Sequence, residues 1–257
     1  MQAFDHTQND KKIQNLSLVI IAAGKGSRLS ADIPKALYTL ANTTLLERHI
    51  HSFSKLGVKH FVLVTGAYHQ LLEAAVSDLE RLYRVKIDAL HNSEYQRANG
   101  VSVAKAVEFL LLNKKKTCLL TMSDHVYSDN FLIQFLTKLK FDFKGLQLAV
   151  DQPGLHNRYI DVEDVTCVSA NEDGVIVEIG KKIGTYQYYD TGLFFLADSF
   201  FSLILDSVAH QVDSLSESVQ RLANQKLAII VEVTNEKWMD IDTKSDVQNF
   251  YQYWEEV

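Results

Sequence analysis

The sequence predicts an α/β fold, a mostly parallel mixed sheet flanked by helices with a small antiparallel insertion. Three observations carry that expectation. Over residues 16–150, short apolar runs rich in β-branched residues alternate with segments of helical periodicity, the pattern of right-handed βαβ units. The first run is apolar throughout, which fits a strand covered on both faces. From 145 to 197, strand-like stretches follow one another between turn signals such as Asn171 to Gly174, so an antiparallel patch is expected there.

The first strand is residues 16–23 (LSLVIIAA), bounded by Gly24. Thr44 and Glu47 read as a capping box opening a helix, on which Leu46, Ile50 and Phe53 recur at helical spacing and Gly57 is the stop. Residues 60–65 (HFVLVT) make a second strand, 70–83 a second helix and 85–90 a third strand. A helix over 101–112 puts Val103, Val107, Leu110 and Leu111 on one face. Strand 117–122 and helix 130–139 follow. GLQLAVD, YIDVEDVTCVSA, GVIVEIG and QYYDTGLFFLA supply the antiparallel patch. Two helices, a strand over 227–233 and a helix near 243–254 complete the chain. Residues 1–15 read as an N-terminal extension and 16–257 as one domain, because neither proline, Pro34 or Pro153, lies in a linker-like stretch.

Composition narrows the function. With 257 residues, 47% apolar and 23% charged, the chain matches soluble globular proteins and can bury an ample core. Its 26 basic and 32 acidic residues leave a net charge of −6, which argues against a nucleic-acid partner. Cys118 and Cys167 lie in apolar stretches without CxxC or histidine companions, so reduced thiols are expected rather than zinc. The start lacks the apolar core of a signal peptide, and no run of about 18 apolar residues occurs. A cytoplasmic protein with no membrane insertion is the expectation.

Chemistry concentrates after the first strand, in Ala22-Ala23-Gly24-Lys25-Gly26-Ser27-Arg28 and in Lys35 beyond. Gly24 and Gly26 allow a sharp turn whose N–H groups approach an anion. Lys25, Arg28 and Lys35 surround that turn with cations in an otherwise acidic protein. Position 29 is Leu and no GxxxxGK[ST] occurs, so neither dinucleotide fingerprint nor P-loop is present. On glycines and charges alone, a solvated turn is an equal alternative. Asp124 stands just past strand 117–122, where such sheets bind ligands, and Asp240 and Asp242 follow the strand at 227–233. Asp124 with Asp240 would suit Mg²⁺, which takes one or two carboxylates and fills its octahedron with water and phosphate oxygens. A turn residue and a helix cap are the plainer readings of Asp124 and Asp242. Asn99-Gly100 can turn the chain and place Ser102 in a first helical turn, facing a ligand or simply capping.

The seven-residue gap from Arg28 to Lys35, with Pro34 before the lysine, resembles the signature of nucleotidyltransferases that couple a nucleoside triphosphate to a phosphorylated sugar or alcohol. With 122–125, 159–166, 179–182, 189–192 and the late Trp238-Met-Asp-Ile-Asp242, residues 16 to about 250 are similar to the cytidylyltransferase part of enzymes that make CDP-inositol from inositol 1-phosphate. The resemblance implies a single-domain Rossmann-like nucleotidyltransferase (GT-A-like) fold and Mg²⁺-dependent transfer of CMP from CTP, releasing pyrophosphate. It implies catalytic roles for Lys25, Arg28 and Lys35, and nucleotide contacts at Ala22, Ala23, Gly24, Gly26, Ser27, Asn99, Gly100 and Ser102. Asp124 and Asp240 would hold the metal, with His125 and Asp242 undecided. Lys181 or Lys182 would grip the acceptor phosphate, and Asp190 would face its hydroxyls. Fused members carry a membrane-embedded phosphotransferase next; with this sequence ending at Val257, that second activity is expected to be absent.

The acceptor stays open. CDP-inositol commonly feeds protective solutes of thermophiles, yet charge content here is ordinary, unlike a hyperthermophile protein. Phosphocholine is the next acceptor, followed by sugar 1-phosphates; Tyr186, Tyr188 and Tyr189 could cage the phosphocholine cation, although three tyrosines in a strand are more often packing and edge residues. A GT-A glycosyltransferase also fits the D-x-D spacing of Asp240 and Asp242, and a non-catalytic nucleotide sensor is the third class. The base and the oligomeric state are open too, a homodimer included.

Overall fold

The computed structural model describes residues 6–26, 28–29 and 33–254. Helix α1 (His6–Asn15) precedes strand β1 (Ser17–Ala22). A short 3₁₀ turn at Lys35–Leu37 leads into the two-residue strands β2 (Thr39–Leu40) and β3 (Thr43–Thr44) and then helix α2 (Leu45–Lys55). Next come β4 (His60–Thr65), α3 (His69–Tyr83), β5 (Lys86–His91), α4 (Asn99–Leu112) and β6 (Cys118–Met122). A short strand β7 (His125–Tyr127) precedes α5 (Asp129–Lys138) and β8 (Leu146–Asp151). The antiparallel patch is β9 (Cys167–Ala170), β10 (Ile176–Gly180) and β11 (Tyr188–Leu196). The chain closes through α6 (Asp198–Ala209), α7 (Leu215–Ala223), β12 (Ala228–Glu232), β13 (Trp238–Asp240) and α8 (Lys244–Tyr253).

β1, β4, β5 and β6 pair in parallel, in the order β6-β1-β4-β5. β11 joins the β6 edge antiparallel, β8 pairs antiparallel with β11, and β12 lies parallel to β8. The start of β11 also pairs with β9, which carries β10. The unbroken apolar character of β1 has the expected cause. Leu18 and Ile20 enter one buried cluster with α2, α3 and α5, whereas Val19 and Ile21 enter another with α4, α6 and α7. Both faces are therefore covered, and each fully buried Leu or Ile there contributes about 1.5–3 kcal/mol relative to exposure.

Local chemistry explains the departures from expectation. Thr44 caps α2 by accepting from Glu47 N–H at 3.1 Å, but the Glu47 carboxylate accepts from Tyr83 O–H at 2.8 Å, so only half of the capping box forms. Residues 159–166 form turns rather than a strand. Asp161 Oδ1 accepts from Glu163 N–H at 3.0 Å, and Asp161 C=O accepts from Asp164 and Val165 N–H at 3.1 and 2.9 Å; these local bonds outcompete a ladder. Helix α4 begins two residues early, so Asn99 and Gly100 lie in its first turn instead of turning the chain ahead of it. Within the expected N-terminal extension, Ile13 of α1 packs into the first core cluster. Cys118 and Cys167 are buried free thiols. No helix among the described residues is long and apolar enough to cross a membrane.

Candidate active site

A cleft of about 390 Å³ opens at the C-terminal ends of β1 and β6, where parallel sheets bind ligands. The loop after β1 forms one wall. Gly26 has φ +58° and presses on Lys35, whose Cβ lies 2.7 Å from where a Gly26 Cβ would stand. Any larger residue would be strained twice, by its backbone and by that contact. Leu37 N–H donates to Pro34 C=O at 2.8 Å and Tyr38 N–H to Lys35 C=O at 2.9 Å, which fixes the turn that presents Lys35.

The cations of this loop meet aspartates from distant elements. Lys35 Nζ donates to Asp124 Oδ2 at 2.8 Å and also to Asp242. Arg28 lies 2.5 Å from Asp242 and 3.4 Å from Asp164, and Lys181 pairs with the same Asp164. His125 Nδ1 lies 2.8 Å from Asp124 Oδ1. Charges thus alternate along the cleft: Lys181, Asp164, Arg28, Asp242, Lys35, Asp124, His125.

The aspartates are held by short elements that only tertiary structure creates. β7 and β13 form a separate antiparallel ribbon that places Asp240 opposite His125, and Ile241 N–H donates to Asp124 C=O at 2.9 Å. Gly192 has φ +73°, and a Cβ there would stand 2.5 Å from the His125 ring. Burial pushes the Asp240 carboxyl up, and the neighbouring Asp124 and Asp242 charges push it further, against His125. Burial would raise Asp124 as well, but Lys35 and His125 hold it well below the usual carboxylate range. Among the described residues, no group of three or more His, Cys, Asp or Glu is arranged to hold an ion by itself. Crowded, mutually repelling carboxylates beside a cleft suit a hard divalent cation that takes its remaining oxygens from phosphate.

Asp190 also lines this cleft. Burial pushes its carboxyl up to about 6, partly countered by the Gly192 N–H, which donates to Oδ1 at 2.8 Å, and by His125. A folded-state pKa above the ordinary 3.8 contributes stability that is full below about pH 4 and lost as pH rises through about 6. Asp190→Asn has no such loss. Its Tm relative to wild type should therefore climb between about pH 4 and 7; melts showing a pH-independent difference would refute the buried-carboxyl account.

Of the other expected residues, Gly24, Gly26, Asn99, Lys181, Asp124 and Asp240 line the cleft. Asn99 Oδ1 also accepts from Leu215 N–H at 3.1 Å, bringing the start of α7 to the same wall. Ala22 and Ala23 are buried backbone supports rather than lining, and Ala23 C=O accepts from Ala67 N–H at 3.1 Å. Lys25 is exposed and does not line the cleft. Ser27 lies outside the described residues. Ser102 corrects the expectation of a ligand-facing hydroxyl: it is buried, and its Oγ accepts from Asn92 Nδ2 at 2.9 Å. Lys181 and Lys182 are both exposed just beyond the end of β10, but Lys181 borders the cleft and pairs with Asp164, whereas Lys182, at φ +62°, does not line it. Tyr189 is buried with Tyr186 packed at 5.9 Å, and none of Tyr186, Tyr188 and Tyr189 lines the cleft, which fits their reading as packing residues rather than an aromatic cage. Asp164 is the residue that sequence reasoning missed.

A MobA-like NTP transferase domain matches residues 18–161. The chain is 31% identical over 238 residues to a bifunctional IPC transferase and DIPP synthase of Aquifex aeolicus, covering 91% of this chain and 51% of that protein. It is 29% identical over 237 residues to a protein of the same name from Archaeoglobus fulgidus, covering 92% and 43%. The chain spans about half the length of these curated relatives. Among solved structures, the inositol-1-phosphate CTP transferase from T. maritima superimposes with a TM-score of 0.78 at 25% identity, over 94% of this chain and 97% of that one. A UDP-glucose pyrophosphorylase shares the fold at a TM-score of 0.74 and 14% identity, over 94% and 99%.

Proposed function

Because this chain belongs to the MobA-like NTP transferase family and is a nucleotidyltransferase, we propose that it joins the CMP part of CTP to inositol 1-phosphate, forming CDP-inositol and releasing pyrophosphate. The observation that carries this reading is the convergence of Arg28, Lys35 and Lys181 with Asp124 and Asp240 in one cleft. Similarity to the T. maritima protein along nearly the whole chain favours CTP and inositol 1-phosphate over other pairs. The tyrosines packed away from the cleft weaken the case for phosphocholine.

An acceptor phosphate oxygen attacks the α-phosphorus of CTP, and the bond to the β-phosphate breaks with its electron pair leaving on pyrophosphate. The acceptor phosphate carries roughly −1.5 to −2 charge at neutral pH, so no general base is required. Two polyanions must instead be neutralised and aligned. Each cleft cation already has a carboxylate partner, so binding is an exchange of anions. Arg28 passes from Asp242 and Asp164, and Lys181 from Asp164, to phosphate oxygens, and Lys35 passes from Asp124 and Asp242 to the attacking phosphate. Arg28 and the N–H groups around Gly24 and Gly26 steady the leaving pyrophosphate. Asp190 accepts hydrogen bonds from acceptor hydroxyls. Mg²⁺, when bound, supplies positive charge to the triphosphate oxygens, and Asp124 and Asp240 are the carboxylates that would hold it.

The test is pyrophosphate release with Mg²⁺, pairing each of four NTPs with inositol 1-phosphate, phosphocholine and several sugar 1-phosphates. CTP with inositol 1-phosphate should give the dominant signal. Dominant release with another pair would overturn the substrate assignment, and silence with every pair would overturn the transfer reaction as proposed.

A further inference from the structure

We infer that Asp151, which does not line the cleft, is a positioning residue that fixes the strand bearing Asp240 and the loop leading to Asp164 from a single buried carboxylate. Asp151 ends β8 and is 1% exposed. Trp238 Nε1–H donates to its Oδ2 at 2.9 Å, and Asn157 Nδ2–H donates to the same oxygen at 2.7 Å. His156 Nε2 lies 3.0 Å from both oxygens. Two segments far apart in sequence therefore converge on one acceptor.

Each segment leads directly to the site. Trp238 opens β13, and Asp240 is two residues further on. Asn157 locks its own loop, donating also to Gln152 C=O at 2.9 Å and accepting from Gly154 N–H at 2.9 Å. Tyr159 O–H then donates to Trp238 C=O at 3.1 Å, tying the loop to β13 a second time. The turn at Asp161 that sets Asp164 follows at once.

A neutral acceptor would satisfy the buried indole N–H. A buried carboxylate is costly unless it is fully hydrogen-bonded, and here donors from both segments meet that condition. Removing any one donor leaves charge uncompensated, so the arrangement disfavours displacement of either segment. Alignment is what the proposed transfer demands, since a misplacement of about 1 Å can cost roughly 10²-fold in rate. The kinetic consequence rests on the reading of Asp240 given above; the structural consequence does not.

The experiment pairs hydrogen exchange of the free protein with pyrophosphate kinetics for wild type, Asp151→Asn and Trp238→Phe. Trp238→Phe deletes the N–H but also trims the buried indole to one ring, so β-(3-benzothienyl)alanine at position 238, which keeps the bicycle with sulfur in place of the N–H, is its packing-neutral counterpart; Asp151→Asn keeps the shape but presents an amide N–H₂ to N–H donors. In Asp151→Asn, exchange at 154–166 and 238–242 should each accelerate roughly tenfold or more, while β1, β4 and β6 keep wild-type protection. Trp238→Phe should accelerate 238–242 and leave 154–158 nearly unchanged. kcat should fall about 10–100-fold in Asp151→Asn with the KM for CTP little altered. Unchanged exchange in either segment of Asp151→Asn, or a uniform rise across the sheet, would overturn the inference. Should Asp151→Asn not fold, the benzothienylalanine substitution at position 238 decides alone, because it removes the N–H without a cavity: selective loosening of 238–242 supports the inference and wild-type exchange there refutes it. A wild type silent with every substrate pair would sink the proposed reaction, and exchange would still decide the positioning role.

Discussion

Lys35→Ala is expected to lower kcat about 10²–10³-fold, the loss typical of removing one group that stabilises developing charge. The Lys35 side chain is only 13% exposed and bridges Asp124 and Asp242, which are 23% and 15% exposed. Burial alone would lower its pKa; the two carboxylates more than offset that and raise it. Deleting the ammonium leaves two carboxylates close together and weakly solvated. Breaking a fully buried pair costs about 3–5 kcal/mol, and partial solvent access here reduces the expectation to about 1–3 kcal/mol. The pH signature is specific. Asp124 is held below its ordinary range, so its contribution is present above about pH 4 and lost as pH falls through the native value. Without Lys35 that contribution shrinks, so the Tm deficit of Lys35→Ala should be widest near neutrality and narrow toward acid. Thermal melts from about pH 3 to 8 and single-turnover pyrophosphate release check both halves. Turnover within about fivefold of wild type would remove Lys35 from the reaction.

The same residue shows how far sequence reading reaches. The β1 run, the glycine turn and Lys35 are local, and their pattern placed a cationic loop at the end of a buried strand. The partners of that loop are not local: Asp164 and Asp242 stand 136 and 214 residues from Arg28, and no periodicity links them. Residues 159–166 misled because Tyr159, Ile160, Val162 and Val165 have strand-forming side chains, whereas the decisive interaction is Asp161 with the backbone two residues on. β7 and β13 have three residues each, too short to show a period, and exist because they pair with each other. Ser102 looked like a ligand hydroxyl because its partner Asn92 lies in another element. That Lys181 rather than Lys182 borders the cleft was not legible either, because both follow the end of β10 at Gly180 and only the tertiary structure pairs Lys181 with Asp164. Pairing Asp124 with Asp240 rested on their places after two strands and on family resemblance; the structure adds that both line one cleft.

That shared cleft yields the largest expected effect. Asp240→Asn should abolish measurable transfer, a loss of about 10³-fold or more, while making the free protein slightly more stable. Asp240 faces His125 across the β7–β13 ribbon and lies within the fields of Asp124 and Asp242. Burial and those like charges raise its pKa, so ionised Asp240 is a cost to folding that grows as pH rises from the ordinary carboxylate range. An amide of the same shape removes the repulsion and leaves β13 anchored through Trp238 and its pairing with β7. Tm should therefore rise in the variant above about pH 5 and converge with wild type in acid, as turnover disappears. Opposite signs for stability and activity separate a carboxylate kept for function from one kept for folding. A structural Asp240 would give the reverse, with a lower Tm and activity falling only in proportion to the unfolded fraction. Asp124→Asn provides the contrast within the same cleft. Its carboxylate is already neutralised by Lys35 and His125, so that substitution should lose both activity and stability. Asp240, by contrast, is ionised against its burial and against the charges of Asp124 and Asp242, with His125 opposing them only in part, and that is the arrangement expected of a ligand whose favourable partner arrives with the substrate.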